Sequence, residues 1–119
     1  MCADKRAAFI EKIRVIDGVT DCALVSRDGI IQGKYFNRNL NEPWFGALSA
    51  TLFASAESAG HLLDMEDPSS ITIQAAGSSL LVMGAGAHFL IAAVLNGTAQ
   101  KDDVASRICA VAAEIGEVM

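Results

Sequence analysis

Apolar and polar positions divide the chain into helical and extended stretches, and one stretch breaks the usual rule. In residues 44–63 a single charged side chain, Glu57, stands among large apolar residues spaced by Ala, Ser, Thr and Gly. Wound as a helix, the stretch puts Trp44, Leu48, Leu52, Ala59 and Leu62 along one side and Phe45, Phe53, Ala56 and Leu63 along an adjacent one. An ordinary surface helix has one apolar stripe with charge opposite it. Here the polar remainder is Ser49, Thr51, Ser55, Ser58 and Gly60, groups small enough to let another backbone come close. The pattern predicts a helix with two partners, its own sheet and a second chain. A membrane span is the competing reading, since about 20 residues at 1.5 Å each cross the hydrocarbon. Glu57, the hydroxyls and Gly60 make the segment too polar for that.

The flanking segments are more regular. Phe9, Ile10, Ile13 and Ile16 recur at helical spacing among charges, which predicts an amphipathic helix over 4–16 stopped by Gly18. Residues 19–26 and 30–36 are apolar, partly β-branched runs joined by Arg27, Asp28 and Gly29, and the Asp-Gly pair suits a tight hairpin. A polar loop over 37–42 leads to Pro43, which fits the first turn of the central helix because its missing N–H is not needed there. That helix should end near 61–64, before the Asp67-Pro68 break. Three short runs follow, 70–75, 79–84 and 88–95, cut apart by Gly77 and by Gly84 and Gly86. A last helix carries Val104, Ile108, Val111, Ile115 and Val118 as its stripe, with Asp102 and Asp103 at its positive end. The predicted order is helix, two strands, helix, three strands, helix.

Strand patterning says how these elements pack. Residues 22–25, 80–83 and 89–95 are apolar on both alternating faces, so the middle of the sheet needs cover on both sides, and three helices can supply it. The third strand differs: Ile71 and Ile73 alternate with Thr72 and Gln74, and no Lys or Pro protects it as an edge. An unprotected β-branched edge beside a helix with a spare apolar face predicts dimerisation. The alternative is that a loop or the helix end hides the edge within one chain.

Composition narrows the class. An apolar fraction of 52% with 19% charged residues in 119 residues is that of one compact domain spanning 1–119, and it excludes disorder. A net charge of -5 with scattered Lys and Arg argues against a nucleic-acid surface. Cys2, Cys22 and Cys109 are odd in number and not closely spaced; they read as reduced thiols of a cytoplasmic protein, with Cys22 and Cys109 in the core. Neither a secretory leader nor a lipidation motif is expected from the residues at the two ends.

Gly18-Val19, the run Ala23-Leu24-Val25-Ser26-Arg27-Asp28-Gly29-Ile30-Ile31, the helix carrying Ala47 through Glu57, and Leu95-Asn96-Gly97 together resemble the roadblock/dynein light chain domain over nearly the whole chain. The resemblance implies an α+β fold of profilin- and longin-like architecture. Its five-stranded antiparallel sheet has the order 2-1-5-4-3, with one helix on one face and two on the other. It also implies homodimers or roadblock heterodimers in which third strands pair and central helices lie side by side. The implied partner is a small Ras-like GTPase, for which the domain is a non-catalytic regulator or binding platform. A structural scaffold, a motor light-chain subunit and a small-ligand sensor are the alternatives. On the combined reading, Trp44, Leu48, Leu52, Ser55, Ala59, Ile71, Thr72 and Ile73 form the dimer or partner interface.

An active site of its own is not expected. His61 and His88 are the only histidines and no positioned nucleophile accompanies them. Zinc-ligand spacing is missing, residues 84–89 lack the third glycine of a dinucleotide loop, and there is no Gly-Lys-Ser or Gly-Lys-Thr phosphate loop, so no cofactor or metal is implied. Arg38, in the loop before the central helix, is the exposed candidate for contact with a partner, including as an arginine supplied to a bound GTPase; its plain reading is a solvated loop charge. Asp64, Glu66 and Asp67 read as a solvated acidic loop that a basic partner or a weakly held divalent cation could use. A sensor would need a pocket with convergent polar groups, and the bulky Leu80, Val82, Phe89 and Ile91 count against one.

Overall fold

The computed structural model describes residues 2–119, with side chains from Lys5 onward. The reading of Cys2 as a reduced thiol therefore lies outside the described side chains. In chain order the elements are α1 (Cys2–Arg14), β1 (Val19–Ser26), β2 (Ile31–Tyr35), α2 (Glu42–Leu62), β3 (Ser70–Gln74), β4 (Ser78–Ala85), β5 (Phe89–Asn96) and α3 (Lys101–Val118). The five strands form one antiparallel sheet in the order β2-β1-β5-β4-β3, the order that the resemblance implies.

The doubly apolar strands sit where both faces are covered. β1 and β5 occupy the middle with β4, while β2 and β3 are the edges. α1 and α3 pack on one face and α2 on the other. Phe9, Ile10 and Ile13 of α1 and Val104, Ile108, Val111, Ala112 and Ile115 of α3 meet Cys22, Leu24, Ile91, Ala93 and Leu95 in the larger core. Under α2 the core is smaller: Phe53 packs on Ala23, Val25, Val82, Leu90 and Ala92. One helix over a five-stranded face leaves less apolar surface covered than two do.

The hairpin turn is tied to α2. Gly29 adopts φ +93, a left-handed conformation that favours glycine. The turn closes through Gly29 N–H to the Ser26 carbonyl at 2.9 Å and Ser26 N–H to the Ile30 carbonyl at 2.9 Å. Gly46 of α2 lies directly on it: a Cβ there would run into the Gly29 carbonyl oxygen. Asn41 caps α2, its Oδ1 accepting from Trp44 N–H at 3.0 Å, and Pro43 occupies the first turn.

Two expectations about burial are corrected. Cys109 is exposed, because the α3 stripe that faces the sheet runs through Ile108 and Ala112 and carries residue 109 about 100° away from it. Val118 is 51% exposed, since α3 at that point has run past the packed part of the stripe, which ends at Ile115. Cys22 is buried, as expected.

Candidate functional site

α2 turns Glu57, the one carboxylate in its middle, toward the sheet side. Its buried residues are Gly46, Ser49, Phe53 and Gly60, spaced to form one narrow stripe against the sheet. Glu57 lies near the margin of that stripe, with its Oε2 3.6 Å from Arg27 Nη1. Arg27 in turn sits 5.1 Å from the Phe53 ring centroid and donates from Nη2 to the Gly86 carbonyl at 2.7 Å. The single charge of the helix middle is thus engaged by its own sheet. Opposite the buried stripe run Trp44, Leu48, Thr51, Ser55 and Leu62, all exposed and none of them charged. Trp44 is 65%, Leu48 46% and Leu62 84% exposed.

The residues expected at an interface sort as follows. Trp44, Leu48, Ser55 and Ala59 are exposed on the outward side of α2, and Leu52 is half-buried at its flank. The structure places both Trp44 and Leu48 outside the core. On β3, Thr72 and Ile73 are exposed, while Ile71 is half-buried against the α2-side core. Ile73 lies on the same sheet face as Ile71, two residues on. Among the described residues β3 pairs with β4 and with no other strand, so its outer edge is open. Outward helix and open edge therefore stand on the same face of the sheet.

Arg38 is a correction to the reading of a solvated loop charge. Its Nη2 lies 2.8 Å from Asp21 Oδ1 and its Nε 3.2 Å from Oδ2. Asp21 is fully buried on β1, and its carboxylate also accepts from Thr20 Oγ1 at 2.7 Å and Asn37 N–H at 2.9 Å. Burial by itself raises this carboxyl's pKa, but the bonds from Thr20, Arg38 and Asn37 and the Arg38 charge outweigh it and hold it below the ordinary value. A guanidinium engaged in this way ties the loop before α2 to β1. Sequence reasoning missed Asp21. The only signal was an acidic residue inside a strand that is otherwise apolar on both faces.

The histidines and the acidic loop after α2 are not gathered into one cluster among the described residues. His61 lies in the last turn of α2 with Nε2 2.8 Å from Asp67 Oδ1, and His88 is exposed in the turn before β5 rather than on the strand. Asp64, Glu66 and Asp67 are exposed. Among the described residues no cluster of three or more His, Cys, Asp or Glu could hold a metal ion, and no helix is long and apolar enough to cross a membrane.

The Roadblock/LC7 domain family matches residues 9–96, a span that runs from α1 to the end of β5 and takes in the whole sheet and α2. The chain belongs to the roadblock family. No curated protein matches it in sequence. Among solved structures, MglB in a tetrameric arrangement is similar with a TM-score of 0.87 at 18% identity, covering 97% of this chain and 88% of that one. The gliding protein MglB from Thermus thermophilus gives 0.86 at 19% identity, over 98% and 90%. A roadblock/LC7 domain from Streptomyces avermitilis gives 0.82 at 17% identity, over 91% and 92%. At these identities the likeness establishes the roadblock fold.

Proposed function

We propose that this roadblock chain is a non-catalytic, dimeric binding platform and regulator for a small Ras-like GTPase. The observation that carries the reading is the charge-free outward face of α2, Trp44, Leu48, Ser55 and Leu62, on the same side of the sheet as the open β3 edge with Ile73. Burying the exposed parts of those side chains contributes about 25 cal/mol per Å2, and a second β3 satisfies the open edge. Trp44, Leu48, Leu52, Ser55, Ala59, Ile71, Thr72 and Ile73 are the residues assigned to this interface. The tetrameric arrangement recorded for MglB supports self-association by analogy.

The GTPase half of the proposal rests on the roadblock family's partners. Among the described residues no cluster could hold a metal ion, the sequence has no Gly-Lys-Ser or Gly-Lys-Thr phosphate loop, and Arg38 is engaged with Asp21. Any stimulation of hydrolysis works by repositioning the GTPase's own groups, across a surface formed by the dimer. The single sheet that links β2 to β3, with all three helices packed on it, supports reading residues 1–119 as one domain. Unpaired Cys22 and Cys109 support a cytoplasmic setting.

The test is the solution mass by light scattering for the wild type and for Ser55→Arg, which puts a cation in the middle of the outward face. A wild-type dimer split by the variant supports the interface. A wild-type monomer, or a dimer indifferent to the change, overturns it. GTP turnover by a co-purifying small GTPase, measured with and without the chain, then separates regulation from scaffolding, which leaves turnover unchanged.

A further inference from the structure

The sheet has a second open edge, and it is built differently. β2 pairs with β1 and with no other strand among the described residues. Two clefts run beside it, on opposite faces of the sheet. The first, about 500 Å3, lies between β2 and the first turns of α2, with Ile30, Ile31, Pro43 and Ala47 as its apolar wall. Ile30 is 58% exposed there. The second, about 350 Å3, lies between β2 and α1 and is walled by Arg6, Ile10, Arg14, Gly33 and Tyr35. α1 comes this close because Gly33 has no side chain; a Cβ would stand 3.0 Å from Ile10 Cγ1.

The two clefts differ in charge. On the α1 side, Arg14 lies over the Tyr35 ring at 4.6 Å and gives its Nε to Glu11 at 2.8 Å. Arg6 Nε is buried and has no hydrogen-bond partner among the described residues. Two guanidiniums facing one carboxylate reverse the sign of a chain whose net charge is -5. On the α2 side, Lys34 is already paired with Glu42, which leaves the apolar wall to dominate.

A strand sends successive side chains to opposite faces. The register of β2 on β1 shifts between Leu24 and Val25, which sets Ile31 toward the α2 side and Tyr35 toward the α1 side. An extended segment laid along β2 would therefore drop one set of side chains into the apolar cleft and the other beside Arg6 and Arg14. We infer that the β2 edge takes an extended segment of a partner protein in which apolar and acidic residues alternate, added to the sheet as a sixth strand. Main-chain hydrogen bonds hold such a segment and the clefts read its side chains. A second copy of this chain fits poorly, because an antiparallel pair of β2 strands would set the arginines of both copies along one face. With five residues in β2 the contact is small, which places it among weak, transient interactions.

The inference is tested by titrating 15N-labelled protein with a capped octapeptide of alternating valine and glutamate, and with the same peptide carrying lysine for glutamate. The expected result is saturable shifts at the amides of residues 31–35, at least tenfold weaker with the lysine peptide and at least tenfold weaker in Arg6→Gln/Arg14→Gln. Should the double variant fail to fold, Arg6→Gln alone is compared, with a smaller loss in the same direction. No response at millimolar peptide, an equal response to both peptides, or shifts confined to β3 and α2 overturn it. Shifts at 31–35 that follow protein concentration without peptide overturn it in favour of self-pairing. Repeating the titration with Ser55→Arg should leave the response unchanged, so failure of the dimer proposal and failure of this one are read separately.

Discussion

Arg38 closes over a carboxylate that sits wholly inside the protein: its Nη2 is 2.8 Å from Asp21 Oδ1, with Asp21 fully buried and the Arg38 side chain 54% exposed. The pair joins the start of β1 to the loop that delivers α2. Removing the arginine leaves a buried charge with only Thr20 and Asn37 N–H to satisfy it. Arg38→Ala should lose about 2 kcal/mol at neutral pH, less than a fully buried pair would because Arg38 is half in water. Urea denaturation measures it.

The same pair sets a pH dependence. Asp21 has its pKa lowered in the folded state, so its contribution is fully present above the unfolded aspartate value of about 3.9 and is lost as pH falls through the folded one. The stability gap between wild type and Arg38→Ala should therefore be constant from pH 7 down to about 5 and shrink below about 4. Urea midpoints of both proteins across that range check the sign; a gap that widens in acid contradicts it.

Gly46 is expected to be intolerant of even one methyl. A Cβ at that position collides with the Gly29 carbonyl, which is backbone and cannot rotate away, and comes within 3.2 Å of Ile31 Cγ1. Gly46→Ala gains helix propensity of about 1 kcal/mol but forces α2 off the hairpin, a strain of about 1–3 kcal/mol. The net expectation is a lower thermal midpoint with no loss of helix by circular dichroism. Gly77, where a Cβ meets nothing within 4 Å, is the control position.

What the sequence disclosed and what it hid follow from how local each signal is. β1 was legible to the residue because Val19–Ser26 is a largely apolar, partly β-branched run, broken only near its start by Thr20 and Asp21 and ended by Asp-Gly chemistry. The edge status of β3 was legible from the absence of a second apolar face. The division of α2 was legible only in part: scarcity of charge predicted two apolar faces, yet which one met the sheet depended on Gly46 fitting the Gly29 turn, a contact between residues far apart in the chain. Asp21 was illegible because its partner Arg38 arrives only after β2 has returned along β1. Ile71 and Ile73 look alike in sequence, but α2 covers the first and leaves the second 45% exposed.

The thiols should separate cleanly. Burial pushes the Cys22 thiol up to about 12, with the Asp21 carboxylate adding to the effect, so it is both inaccessible and protonated at pH 8. Cys109 is exposed on α3. In a Cys2→Ser background, a colorimetric disulfide reagent should titrate one thiol in the native protein and two in urea. Two fast thiols in the native protein would mean that β1 opens readily.

Trp44 gives the α2 face its own optical probe, because it is the only tryptophan in the chain and is 65% exposed. Its indole stands in the first turn of α2, four residues before Leu48 on the same side of the helix, where a second α2 would exclude water from both. If copies associate through this face, emission should move to shorter wavelength as protein concentration rises, along the same curve as the mass from light scattering. Leu48→Asp, which adds a carboxylate beside the indole without touching the buried stripe, should shift that curve to higher concentration by at least tenfold, the equivalent of about 1.4 kcal/mol. Ile73→Asp, on the open β3 edge, should do the same without altering emission at low concentration. Two variants on different elements that weaken one association tie the helix face and the strand edge to a single interface; an effect from Leu48 alone would confine the contact to the helices and leave the β3 edge unoccupied.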